Sequence, residues 1–91
     1  MKLSMTKQAL KAVKQLDAKQ YKQVVSTILS LCANNTPNDS ASLKGASNGE
    51  RRVDIGEYRI IYAINAELAV EILVVGKRID DEVYRIFERQ K

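Results

Sequence analysis

Residues 51–75 read RRVDIGEYRIIYAINAELAVEILVV. Arg51 to Ile55 alternates between polar and apolar, Gly56-Glu57 has turn chemistry, and Tyr58 to Ile64 alternates again. Asn65-Ala66-Glu67 makes a second turn, and Leu68 to Val75 is apolar and rich in β-branched residues. Three consecutive antiparallel strands, a meander, are expected. With the register set by these turns, Arg52 falls opposite Ile61, Asp54 opposite Arg59, and Arg59 opposite Leu73. One face then carries Val53, Ile55, Tyr58, Ile60, Tyr62, Ile64, Leu68, Val70, Ile72 and Val74, a continuous apolar surface. The other carries Arg52, Asp54, Arg59, Ile61, Ala63, Glu71 and Leu73, and is expected to lie open to solvent or to a partner.

Upstream, residues 2–5 (KLSM) alternate as a short edge strand would. Thr6 is a natural N-cap for a helix reaching about Leu16, with Ala9, Ala12, Val13 and Leu16 on one side. Asp17 restarts the pattern, and Tyr21, Val24, Val25, Ile28, Leu31 and Cys32 form a second apolar stripe. The two segments make a helical hairpin that can cover the apolar face of the sheet. Asn34 to Asn48, with the only proline, Pro37, is loop chemistry. Downstream, Asp80-Asp81-Glu82 suits a helix N-terminus, and Val83, Ile86 and Phe87 give the spacing of a short final helix. The expected fold class is α+β: an N-terminal helical hairpin on one face of a small antiparallel sheet, then a short C-terminal helix. Residues 1–91 make a single domain, since a chain of this length has material for one modest core.

Hydrophobic residues at 45% and charged residues at 29% belong to a globular chain rather than a disordered one. Nowhere do about 18 apolar residues run together, and the N-terminus has no signal core, so a cytoplasmic protein with no membrane partner is expected. A single cysteine, Cys32, and no histidine leave no internal disulfide and none of the usual zinc patterns, so no metal and no cofactor are expected. Without a histidine to activate it, Cys32 reads as a small core residue. The charge of +4 and pI near 9.3 favour a polyanionic partner. Lysines 7, 11, 14, 19 and 22 read as the wet faces of two helices, though such a face could also rest on nucleic-acid phosphates.

Antiparallel pairing puts the start of the second meander strand and the end of the third at one edge of the sheet. Arg78 should therefore approach Arg59 and Arg52, and Tyr84, about one and a half helical turns on, can return its phenol to the same place. Three guanidinium groups round one pocket repel one another, yet they suit a phosphodiester whose negative charge grows in the transition state. A phenol can orient or deprotonate a ribose 2′-hydroxyl, and in-line attack of that hydroxyl needs positioning more than a strong base. RNA is then favoured over DNA. The plainer reading of Arg52 and Arg59 is a solvated sheet face with an Asp54–Arg59 pair worth under ~1 kcal/mol. Tyr84 could equally be an amphipathic-helix residue over the sheet edge, and Tyr58 and Tyr62 are expected to pack in the core.

Four segments together resemble the RelE branch of the RelE/ParE toxin superfamily: Leu43-Lys44-Gly45, Gly56-Glu57-Tyr58-Arg59-Ile60-Ile61-Tyr62, Val74-Val75-Gly76-Lys77-Arg78 and Glu82-Val83-Tyr84. The likeness covers the whole chain in element order and is strongest from Leu43 to Tyr84. It implies a RelE/microbial RNase-like fold and the toxin of a type II toxin–antitoxin pair. Such a toxin is a metal-independent mRNA endoribonuclease, an mRNA interferase that enters the ribosomal A site and inhibits translation. It leaves a 2′,3′-cyclic phosphate and a 5′-hydroxyl, and cleaves free RNA poorly. By the same resemblance Arg59 and Arg78 are phosphate-binding and acid-acting, Tyr84 is the tyrosine near the C-terminus, and Arg52 takes a place usually basic. Lys44 and Lys77 support contacts to rRNA or mRNA. The implied partners are a cognate antitoxin, the ribosome with its mRNA and rRNA, and, for the toxin–antitoxin hetero-oligomer, operator DNA.

Glu50 and Asp54 depart from the resemblance, standing where relatives often have Lys or Arg; Asp54 can pair with Arg59 and hold it in place. Two other functions stay open on this sequence. One is a ParE-like inhibitor of DNA gyrase without nuclease activity, and the other is a catalytically silent module that still binds an antitoxin.

Overall fold

The computed structural model describes residues 2–43, 45–46, 48–67 and 69–90, with the backbone alone for Asp80. Lys44 and Leu68, both assigned roles from the sequence, lie outside the described residues. The elements run β1 (Leu3–Met5), α1 (Lys7–Lys14), α2 (Ala18–Ala33), β2 (Ser40–Ser42), β3 (Arg51–Ile55), β4 (Tyr58–Ile64), β5 (Val70–Lys77) and α3 (Glu82–Gln90). A single 3-10 turn, Ile79–Asp81, joins β5 to α3. The sheet order is β1-β5-β4-β3-β2, antiparallel except for β1, which runs parallel to β5.

Both expected N-caps form. Thr6 accepts from the Ala9 N–H at 3.1 Å and Asp17 from the Gln20 N–H at 2.9 Å, each satisfying a donor that the helix cannot. Gly56, at φ +58°, takes the first central position of the β3–β4 turn, where side chains are strained and glycine is not. Among the described residues no helix is long and apolar enough to cross a membrane.

Besides the parallel pairing of β1, the sheet departs from the expected antiparallel one in three ways. First, the segment expected as loop contains β2, a Ser-Ala-Ser strand of low intrinsic β-propensity paired with β3. It is tied further by the Arg51 guanidinium, which donates to the Ser40 hydroxyl at 2.9 Å. Second, β5 begins at Val70 and runs to Lys77, because Asn65 makes a longer turn: its side-chain oxygen accepts from the N–H groups of Glu67 and Ala69. Third, the β4–β5 register shifts between Ile61, opposite Val74, and Tyr62, opposite Ile72, which leaves Leu73 as an extra residue. Arg59 therefore lies opposite Gly76, not Leu73, whereas the Arg52–Ile61 and Asp54–Arg59 pairings are as expected.

The extra residue is held in place. Leu73 contributes a carbonyl that accepts from the Thr6 hydroxyl at 2.7 Å and from the Gln90 amide at 3.2 Å. Beyond it, the Gln8 side chain donates to the Val75 carbonyl and accepts from the Val75 N–H, replacing the ladder that β1 cannot continue.

Because side chains alternate, one extra residue turns every later side chain of the strand to the other face. The hairpin side buries Val53, Ile60, Tyr62, Val70, Ile72 and Val75 with Ala9, Val13, Val24, Ile28 and Leu31. Tyr58 and Tyr62 pack there as expected, each phenol hydrogen-bonded, to Gln20 and to the Asn35 carbonyl. Val74, expected on this side, instead joins Ile61, Leu43, Val83 and Phe87 in a second core beneath α3. The face expected to be open is thus half closed, at roughly 1.5–3 kcal/mol for each fully buried aliphatic or aromatic side chain. Its Arg52–Asp54–Arg59 end stays partly accessible, as do Ala63 and Glu71 further along. Cys32 is half-buried at the margin of the first core rather than within it.

Candidate active site

Asp54 and Arg59 face each other across β3 and β4 on the α3 side of the sheet. The pairing is bidentate: Arg59 Nε donates to Asp54 Oδ1 at 2.6 Å and Nη2 to Oδ2 at 3.0 Å. The third nitrogen, Nη1, donates to the Tyr84 hydroxyl at 3.0 Å, and the guanidinium carbon lies 5.6 Å from the centre of the Tyr84 ring. Arg59 therefore joins the sheet to the helix that carries the phenol.

Arg78 reaches the same carboxylate from the end of β5. Its Nε stands 3.4 Å from Asp54 Oδ2, while Nη1 donates to the Gly56 carbonyl at 3.1 Å. Arg52 completes the group with Nη1 at 4.0 Å from Oδ2, too long for a hydrogen bond. The triangle expected of Arg52, Arg59 and Arg78 is present with Tyr84 beside it, and its centre is Asp54. The hydrogen bonds from Arg59 hold the Asp54 carboxyl below its ordinary range, against the opposing effect of burial and with help from the charges of Arg59, Arg78 and Arg52. Hydrogen bonding to Asp54 likewise raises Arg59 above the usual guanidinium value.

Two clefts flank the Arg59–Tyr84 contact. The first, about 490 Å³, is lined by Gly56, Glu57, Arg59, Lys77, Arg78 and Ile79. The second, about 530 Å³, is lined by Ser42, Arg52, Asp81 and Tyr84. Lys77 lies where a supporting phosphate contact was expected, exposed at the mouth of the first cleft. Its backbone N–H donates to the Glu82 carboxylate at 2.7 Å, which fixes the corner from which α3 departs.

Glu50 stands apart from the cluster: it is buried in the loop before β3 and accepts from the Asn48 N–H at 3.0 Å. Sequence reasoning missed Ser42 and Asp81. Ser42 lies on the strand read as loop, and Asp81 owes its place to a left-handed φ of +54°, which no pattern signals.

The family model describing the ParE toxin of the type II toxin–antitoxin system parDE matches residues 3–82. Comparison with curated proteins finds no match. Among solved structures, the archaeal RelE of the RelE–RelB complex from Pyrococcus horikoshii is similar with a TM-score of 0.75 and 25% identity, covering 87% of this chain and 96% of that one. The isolated E. coli RelE toxin shares the fold with a TM-score of 0.73 at 21% identity, over 98% of this chain and 96% of that one. RelE of the RelB–RelE complex from Methanococcus jannaschii does so at 0.69 and 23%, over 92% and 98%.

Proposed function

We propose, for a chain that belongs to the ParE toxin family of type II toxin–antitoxin systems, that it inhibits translation by cleaving mRNA in the ribosomal A site. The observation that carries this reading is the hydrogen bond from Arg59 to the Tyr84 hydroxyl at 3.0 Å, between two clefts and within reach of Arg78. A binding surface alone has no need of a phenol so placed.

In the reaction, the 2′-oxygen of the ribose attacks its own 3′-phosphate and the bond from phosphorus to the 5′-oxygen breaks. A 2′,3′-cyclic phosphate and a 5′-hydroxyl result. Tyr84 orients the 2′-hydroxyl, whose proton leaves to solvent as the new bond forms. Arg59 and Arg78 stabilise the charge on the non-bridging oxygens, and Arg78 hydrogen-bonds and protonates the leaving oxygen, regaining its proton from water. Arg52 clamps a neighbouring phosphate, and Lys77, with Lys44, supports the strand. A donor of this kind is worth roughly 10²–10³ in rate.

This toxin works in the cytoplasm, where ribosomes are, and a cognate antitoxin silences it. The RelE proteins of P. horikoshii and M. jannaschii are seen in complex with RelB, which supports an antitoxin partner here; that the pair binds operator DNA is part of the proposal. The test is primer extension on a defined mRNA with 70S ribosomes, comparing wild type with Arg78→Ala and Tyr84→Ala. Cleavage at A-site codons that both substitutions abolish is expected. Intact mRNA with folded wild-type protein would refute the reading.

One observation favours a second reading. Arg59, the most firmly held cation of the group, is already neutralised by a bidentate carboxylate. A toxin without nuclease activity that inhibits DNA gyrase would tolerate this, and a supercoiling assay separates the two.

A further inference from the structure

Guanidinium groups gathered at one place repel one another unless an anion lies among them. Here one carboxylate lies within 4.0 Å of three guanidinium groups. The contacts are graded. Arg59 is gripped at both oxygens and its side chain is 17% exposed, Arg78 has a single contact at 3.4 Å and is 49% exposed, and Arg52 stands at 4.0 Å. The Asp54 backbone is fixed, because it is paired with Arg59 across β3 and β4. The loosely held cations can turn away from it, and each already lines a cleft: Arg78 the one of about 490 Å³, Arg52 the one of about 530 Å³.

We propose that the Asp54 carboxylate is a built-in anion occupying the arginine cluster, so that a backbone phosphate binds by drawing Arg78 and Arg52 away from it while Arg59 stays paired. The two carboxylate oxygens take the places that two non-bridging phosphate oxygens would fill, satisfying the same donors with one negative charge. An isolated phosphate then competes poorly with a carboxylate tethered at the centre of the site. A strand held by further contacts along both clefts draws the two loosely held arginines to itself. The anion competition rests on the geometry alone, and its consequence for RNA rests on the reading above.

The test is binding of a short single-stranded RNA with 2′-O-methyl riboses, which cannot be cleaved, to wild type, Asp54→Asn, and Asp54→Asn combined with Arg78→Ala. Asp54→Asn is expected to bind about tenfold tighter near 0.1 M salt, with the dependence of log affinity on log salt steeper by about 0.7. The gain should vanish in the double variant. A folded Asp54→Asn that binds no tighter, or a gain that survives loss of Arg78, overturns the proposal. Should Asp54→Asn not fold, the wild type answers through the Nε–H resonances of its arginines on titration with the same 2′-O-methyl RNA. Movement of Arg78 with Arg59 unmoved supports displacement, and movement of Arg59 first refutes it. Tighter binding by Asp54→Asn, with mRNA left intact on ribosomes by the wild type, upholds this inference and removes only the nuclease reading.

Discussion

Gly76 is the position at which a single methyl group should disturb the site without touching any reacting group. It lies opposite Arg59 on the face that α3 covers, and a Cβ built there would stand 3.0 Å from Glu82 Oε2 and 3.0 Å from Val83 Cγ1. Few real Cβ contacts are so short, so both neighbours must give. Glu82 can swing, but its carboxylate accepts from the Lys77 N–H at 2.7 Å, a charge-assisted hydrogen bond worth roughly 1.5–3 kcal/mol. Val83 is fully buried in the second core and can move only with the helix. Overpacking of this kind costs about 1–3 kcal/mol. Replacing a strand glycine by alanine returns about 0.5–1 kcal/mol through the unfolded chain. Gly76→Ala should therefore destabilise by roughly 0.5–2 kcal/mol, which for a domain of this size lowers Tm by roughly 2–16 °C. Lifting α3 also lengthens the 3.0 Å contact between Arg59 and Tyr84. Urea denaturation gives the first quantity and cleavage on ribosomes by the folded variant the second. A Gly76→Ala protein as stable as wild type and equally active would show that α3 does not need the glycine to seat.

Tyr84→Phe removes the hydroxyl and keeps the ring; cleavage should fall by roughly 10²–10³ while stability changes by no more than about 1 kcal/mol, checked by single-turnover kinetics and thermal melting. Phe87→Ala should cost about 3–5 kcal/mol by opening the second core, read by denaturant titration; a loss under about 1 kcal/mol would mean that α3 is not docked as described. Asp54 has a folded-state value below its unfolded one, so its contribution to stability is complete above the ordinary carboxylate range and is lost as pH falls through the lowered value. Wild type should thus lose stability between about pH 5 and pH 2 more steeply than Asp54→Asn, and parallel pH profiles would refute the pairing.

The sequence carried the elements further than their registration. N-caps at Thr6 and Asp17, the turn at Gly56-Glu57 and the strand over Tyr58–Ile64 are local signals, each determined by a few neighbouring residues, and the structure has all of them. Chain sense is less local: β1 pairs parallel with β5, a strand 67 residues away in sequence by the Leu3–Val70 pairing, which no neighbouring residue encodes. β2 was illegible for a different reason. Ser40, Ala41 and Ser42 have no strand pattern of their own and are recruited by β3 and by the Arg51 side chain.

The clustering of Arg52, Arg59, Arg78 and Tyr84 was legible in the sequence and the register of β5 that assembles it was not, and Leu73 is the reason. Nothing in a run of β-branched residues marks which one will be extra; the choice is made by Thr6 and Gln90, whose side chains converge on the Leu73 carbonyl from opposite ends of the chain. That one residue moves Val74 to the far face and makes it the floor for Val83 and Phe87. It also puts Gly76, in place of a bulky side chain, beneath the first turn of α3 opposite Arg59. Without the extra residue Val75 would lie opposite Arg59, on the face where α3 has to approach, and the helix could not settle close enough for Tyr84 to reach the guanidinium. The same irregularity that hides the register therefore closes the second core and brings phenol and arginine together.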